Sequence, residues 1–168
     1  MEFLLRLQNS AFGTWVAESQ QIWGYSGILT AHTLGIGLAV GTSWVIDLRV
    51  LGVARRVPLG GLKNVSRTFW IGLAINTATG VMLFVAAAGD KGTQKIFFLK
   101  VTLILLALLS DIRIRHVVFG DRAALDHPIS PTVKFLATAS VILWAAAITA
   151  GRLMAYRPVV NALGYINW

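Results

Sequence analysis

Four long apolar runs, separated by short basic connections, organise the chain. A hydrocarbon core about 30 Å thick is crossed by about 20 helical residues. Runs at about 25–53, 66–88, 94–119 and 132–156 meet that length. The first carries no charge between Glu18 and Asp47, the second none from Thr68 to Gly89, and the fourth none from Phe135 to Gly151. The third holds Lys100 near its start and Asp111 near its end. Ahead of them Phe3, Leu4, Leu7 and Ala11 are spaced for one helical face. That spacing predicts a short interfacial helix within about residues 1–20, with Trp15 and Trp23 as anchors at headgroup level. The expected fold is all-α: a single domain, 1–168, forming an integral membrane four-helix bundle.

Composition agrees with burial in lipid. Apolar residues make up 56% of the chain and charged ones only 13%, too few to cover a water-facing surface of this size. The mean hydropathy is +0.69. The formal charge of +8 could serve nucleic acid, but the cations gather between apolar runs, where topology is their usual role. The lipid bilayer is therefore the expected partner, and nucleic acid is not. With no cysteine, disulfides, thiolate metal sites and iron–sulfur clusters are excluded. The start, Met1 to Arg6, lacks a basic segment followed by a long apolar core and does not read as a cleaved signal peptide.

The connections supply an orientation. Arg49, Arg55, Arg56, Lys63 and Arg67 lie at or between the facing ends of the first two runs, and Arg113, Arg115, Arg122 and Lys134 at or between those of the last two. The other side holds Arg6, Lys91, Lys95, Arg152 and Arg157. Nine cations against five place the connections 54–65 and 120–131 in the cytoplasm and both termini outside. A faint repeat accompanies this layout: Asp47-Leu48-Arg49 ends the first run as Asp111-Ile112-Arg113 ends the third, and Thr79-Gly80 of the second echoes Ala150-Gly151 of the fourth. Two hairpins in parallel repeat would produce it, and so would chance. The two Asp–Arg pairs also predict an ion-pair clamp across helices, Asp47 to Arg113 and Asp111 to Arg49.

Polar side chains inside hydrocarbon cost a few kcal/mol and call for a reason. Each run carries a polar or small-residue stripe at helical spacing: His32, Gly35, Ala39 and Ser43; Gly72, Asn76, Thr79 and Gly80; Lys100, Ala107 and Asp111; Thr138, Thr149 and Arg152. The plain reading is close packing with hydrogen bonds across helices, and the pair Gly37 and Gly41 is expected to contribute to it. His32 is the sharpest residue, about five residues or about 8 Å inside the outer boundary. Its imidazole could ligate haem iron or copper, bind a quinone head group or pass protons; the plainer reading is a packed, hydrogen-bonded core residue. Lys100 and Arg152 are expected at similar depth as cationic partners of an anionic guest, with Asn76 as a polar contact and Met82 as a second ligand or plain packing. His116 and His127 fall near the opposite boundary, which makes a bis-histidine pair with His32 geometrically poor. No phosphate loop, zinc-type His-Glu-x-x-His or Gly-x-Ser-x-Gly elbow is present, and the connections are too short for a catalytic domain.

The stretches Ala31–Leu38 and Asp47–Gly52, with Phe69-Trp70, Asn76, Thr79-Gly80 and Phe98-Leu99-Lys100, resemble a family of small bacterial four-helix membrane proteins of unknown function. The resemblance covers nearly the whole chain. In layout that family is more distantly similar to copper-resistance membrane proteins and to cytochrome-b-type bundles. It implies the four-helix fold and the bacterial inner membrane, and brings no activity with it. The expected function is a non-enzymatic membrane subunit or anchor, associated with other subunits or with copies of itself, within a redox or electron-transfer complex. Haem b or quinone near the outer side is its expected cofactor. A small transporter or metal-handling protein, or a purely structural accessory subunit, is the alternative. Reporter fusions at Gly60 and after Trp168 test the orientation: Gly60 should report the cytoplasm and Trp168 the outside, and the reverse would move His32 to the inner half.

Overall fold

The computed structural model describes residues 1–19, 21–53, 55–120 and 129–162, with side chains to Met154. The connection 121–128 with His127, and the C-terminal Trp168, lie outside the described residues. Among the described residues the chain is all-helical: α1 (Glu2–Gln8), α2 (Ala11–Glu18), α3 (Tyr25–Leu51), a 3-10 turn (Leu59–Leu62), α4 (Lys63–Val85), α5 (Ala88–Lys91), α6 (Lys95–Gly120) and α7 (Pro131–Ala162). Three segments are long and apolar enough to cross a membrane: Tyr25–Leu51, Leu59–Val85 and Pro131–Met154. Helix α6 is as long, at 26 residues, but Lys95, Lys100, Asp111, Arg113 and Arg115 lie along it.

Local chemistry sets the boundaries. The single N-terminal helix expected from the apolar spacing is two helices, because Ser10 caps α2 by accepting from Gly13 N at 3.1 Å. Helix α3 ends in a Schellman motif: Gly52 N donates to Arg49 O at 3.2 Å and Val53 N to Leu48 O at 2.9 Å. Gly52 supplies the φ of +102° that this motif needs. Pro131 occupies the first position of α7, where its missing N–H costs nothing, and Ser130 stands before it as the cap, its hydroxyl accepting from Val133 N at 3.4 Å.

The chain divides into two compact units: residues 1–44 with 62–93, and residues 45–61 with 94–168. In the first, Val16 of α2 is fully buried with Ile28 and Ala86, and Met82 and Leu83 pack on that cluster. Helix α1 rests on α5. There Gln8 Oε1 accepts from Gly89 N at 2.8 Å, and Leu4 and Leu5 fill the space beside Gly92 and Gly89. Helices α3 and α4 meet closely at two glycines. A Cβ on Gly72 would stand 2.6 Å from Ala39 N and 2.9 Å from Gly35 O, and one on Gly35 would stand 2.8 Å from Asn76 N. The two backbones therefore touch. Gly37 and Gly41, expected to pack, instead face open space with nothing within 4 Å.

The second unit is built on the α6–α7 hairpin. Ala107, Ser110, Asp111, Ile114, Arg115 and Val118 form the buried stripe of α6. Val133, Ala137, Ser140, Trp144, Ala147 and Ala150 form that of α7. Both stripes step by three and four residues, the spacing of one helix face laid along another. Small residues on α7 surround one large one, Trp144.

Gly72→Val should cost about 1–3 kcal/mol, because the added methyls meet backbone and not a yielding side chain. Gly37→Val should stay within about 0.5 kcal/mol. Thermal unfolding of the two variants in detergent separates them, and equal melting would mean that α3 and α4 do not meet at Gly72.

Candidate functional site

Most hydroxyls on the long helices are satisfied locally. Thr30, Thr33, Thr42, Thr68, Thr102, Thr138 and Thr149 each donate to the carbonyl one turn back, at 2.6–3.3 Å. Such residues ask nothing of a neighbouring helix. Among the described residues, two nodes of polar side chains reach across the long helices, one in each unit.

The first node joins His32 of α3 to Asn76 and Thr79 of α4. His32 Nδ1 lies 3.0 Å from the Asn76 carbonyl oxygen and 3.0 Å from Thr79 Oγ1. A carbonyl only accepts, so Nδ1 carries a proton, and in the neutral ring Nε2 is then the nitrogen with the lone pair. Thr79 fits that assignment, since its own hydroxyl donates to Ile75 O at 2.6 Å. The Asn76 amide nitrogen donates to the His32 carbonyl at 2.9 Å. It also lies 3.2 Å from Nδ1 and 3.4 Å from Nε2. Ring lone pairs diverge, so a group nearly equidistant from both nitrogens sits over the ring face. Gly80 completes the cradle: a Cβ there would stand 3.1 Å from His32 Cε1. His32 is half-buried.

The structure thus brings together His32 and Asn76 of the expected site, and adds Thr79 and Gly80. Met82 packs against the Val16, Ile28 and Ala86 cluster. Lys100 and Arg152 belong to the second unit. There the Lys100 ammonium lies 3.5 Å from where a Gly151 Cβ would be, so the glycine makes room for it, and Arg152 is exposed. His116 is exposed on α6. Among the described residues no three His, Cys, Asp or Glu side chains gather as a metal site.

The second node lies between α6 and α7. Arg115 Nη1 donates to Asp111 Oδ1, and Trp144 Nε1 donates to Asp111 Oδ2 at 2.8 Å. Asp111 is 0% exposed, Arg115 6% and Trp144 2%, so the pair is sealed from the surroundings. This corrects the expected clamp. Asp111 pairs with Arg115 one turn along its own helix; Arg49 instead donates from Nε to Val57 O at 2.6 Å, and Arg113 is exposed. The i,i+4 spacing of Asp111 and Arg115 carried the signal, which counting Arg115 only as a connection charge passes over. Nothing in the sequence around Trp144 marks it as a donor. Asp47 is also fully buried in this unit.

No protein-family model, curated protein or solved structure matches this chain.

Asp111→Ala should destabilise the protein by about 3–5 kcal/mol, because it leaves Arg115 buried without its carboxylate. Asp111→Leu with Arg115→Met should recover most of that loss, since apolar replacement of a whole buried pair is often neutral. Thermal unfolding in detergent measures both, and a double variant no better than Asp111→Ala would refute the pairing.

Proposed function

We propose that this chain is a non-enzymatic subunit or anchor of the bacterial inner membrane. In this reading it crosses four times with both termini outside, and α1 and α2 lie in the outer interface. Helix α6 serves as the fourth span. Its 26 residues measure about 39 Å, more than the hydrocarbon thickness. Between Lys100 and Asp111 it carries no charge, and Asp111 is neutralised within the helix by Arg115. Exposed Phe3, Phe12, Trp15 and Trp23 on and after α1 and α2 suit headgroup level. The resemblance to the four-helix bacterial family points the same way.

The functional part of the proposal rests on one observation: inside an apolar span, the Nδ1 proton of His32 is held by the Asn76 backbone carbonyl. An imidazole so held has a fixed tautomer and orientation, the arrangement that supports ligating histidines. We read His32 as the contact for haem b or a quinone, through Nε2. Haem would supply one-electron chemistry and a quinone a carrier of electrons and protons. Asn76 and Thr79 act as positioning residues: they hold the ring and do not touch the guest. A transporter reading would run a polar path along His32, Lys100 and Asn76. Asn76, however, is tied to the His32 carbonyl at 2.9 Å, which suits a fixed cradle better than a path for ions.

An absorption spectrum and a quinone extract of the purified protein test this. Wild type should carry a Soret band or a co-purifying quinone, and His32→Ala should lose it. Thr79→Val should keep the guest while shifting its midpoint potential. Wild-type protein that is colourless and quinone-free would reduce the chain to a structural subunit.

A further inference from the structure

The turn that follows α3 holds a cationic arrangement that the site above leaves unused. From Leu48 to Gly89 the chain has no Asp or Glu, and it has five cations: Arg49, Arg55, Arg56, Lys63 and Arg67. A basic segment beside a membrane span is ordinarily a diffuse charge that fixes orientation. Here two of the arginines are built into the backbone. Arg49 Nε donates to Val57 O at 2.6 Å, and Arg55 Nε donates to Gly52 O at 3.3 Å. Both bonds bracket one short turn of the second unit.

A guanidinium has five N–H donors, and pinning it through Nε leaves the four on the Nη atoms as an oriented fork. Such forks match the oxygens of a phosphate, and orientation in advance lowers the entropy lost on binding. Neither arginine forms an ion pair among the described residues. Gly52 matters twice to this geometry. It supplies the positive φ that ends α3, and its bare Cα gives the Arg55 guanidinium a surface to lie on. A Cβ at Gly52 would stand 3.2 Å from Arg55 Nε and 3.3 Å from Nη2. The apolar residues of the same turn face outward: Val53 is 55% exposed and Val57 41%. Exposed valines beside these arginines fit the boundary between acyl chains and headgroups.

We infer that the turn formed by Arg49, Gly52, Val53, Arg55 and Val57 is a recognition site for phosphate oxygens, and that it holds the headgroup of an anionic phospholipid. The valines enter the acyl boundary while the two forks grip the phosphate above them. A free phosphate shares the oxyanion chemistry and lacks the acyl chains that the valines would meet, which selects the lipid. Arg56 is exposed and makes no such backbone bond, so it serves as an internal control for charge alone. The inference rests on the reading of α3 as a membrane span.

The test is binding of a fluorescent phosphatidylglycerol to the full-length protein in neutral detergent, with fluorescent phosphatidylcholine and inorganic phosphate as the other probes. Wild type should bind phosphatidylglycerol selectively, and inorganic phosphate should not displace it. Arg49→Gln with Arg55→Gln should weaken binding about thirtyfold, from roughly fivefold per cation near an anionic surface. Arg49→Lys with Arg55→Lys keeps the charge and should still lose most of the affinity, because an ammonium has no fork. Arg56→Gln should change it no more than about fivefold. Equal losses in Arg56→Gln and the double Gln variant, or full binding by the double Lys variant, would overturn the built site in favour of diffuse charge. Displacement by inorganic phosphate would overturn the lipid assignment, and so would equal binding of both lipids. Protein that stays in solution without detergent would instead refute the membrane reading beneath it, a failure seen before any lipid is added.

Discussion

Two missing side chains set the geometry of the first unit. At Gly35 and Gly72 the backbones of α3 and α4 touch, and no residue with a Cβ fits at either position without displacing main-chain atoms. Only at that separation does the short Asn76 side chain reach the His32 carbonyl, and only there does His32 reach the Asn76 carbonyl in return. Two residues thus exchange side-chain hydrogen bonds with each other's backbone across the helix pair. In an apolar surrounding, where water cannot compete, each unmade bond of this kind would leave a polar group stranded at a cost of about 1–3 kcal/mol. The glycines and the polar node are therefore one feature. Widening the contact removes both.

The second unit meets the same demand with larger groups. Instead of bare backbone contact, α6 and α7 pack Ala137, Ser140, Ala147 and Ala150 around Trp144, whose indole N–H reaches the Asp111 carboxylate. The carboxylate is already paired within its own helix, so Trp144 adds a hydrogen bond from α7 to a charged acceptor. A charge-assisted bond of this kind is worth about 1.5–3 kcal/mol, and the neutralised pair spares α6 the larger cost of a lone buried charge. The suspected internal repeat does not extend to this chemistry: Leu51 stands four residues after Asp47, where Arg115 follows Asp111.

Apolar length made the long helices legible, because hydrocarbon thickness and helical rise leave little choice of span. Their ends are set by residues that dictate geometry, as Gly52 and Pro131 do, which apolar length alone does not reveal. The break after α1 turns on one serine hydroxyl, a signal too small to outweigh a continuous apolar face. Glycine spacing misled for a physical reason. A four-residue repeat shows that Gly37 and Gly41 share a face, but says nothing about which face meets a neighbour. The productive pair, Gly35 and Gly72, lies on different helices, so no single-helix pattern contains it. Asn76 and His32 could be singled out as polar residues in apolar runs, whereas their pairing depended on that unseen contact. Trp144 was invisible as a polar group because tryptophan counts as apolar until its one donor finds an acceptor.

The difference between the two nodes bears on where chemistry can reside. Both oxygens of Asp111 are engaged by named donors, and the whole assembly is sealed, so its charge is balanced where it stands. A group in that condition is fixed in place, since moving it would strand Arg115. His32 is held differently. Its bonds to Asn76 and Thr79 engage Nδ1 and fix the ring, in a residue only half-buried. An imidazole can take a metal or a hydrogen bond at one nitrogen while the other stays tied to a backbone carbonyl. Rigidity alone therefore does not single out a functional residue, since both nodes are rigid. What separates them is that the restraint at Asp111 engages both carboxylate oxygens, whereas the one at His32 orients the ring through Nδ1.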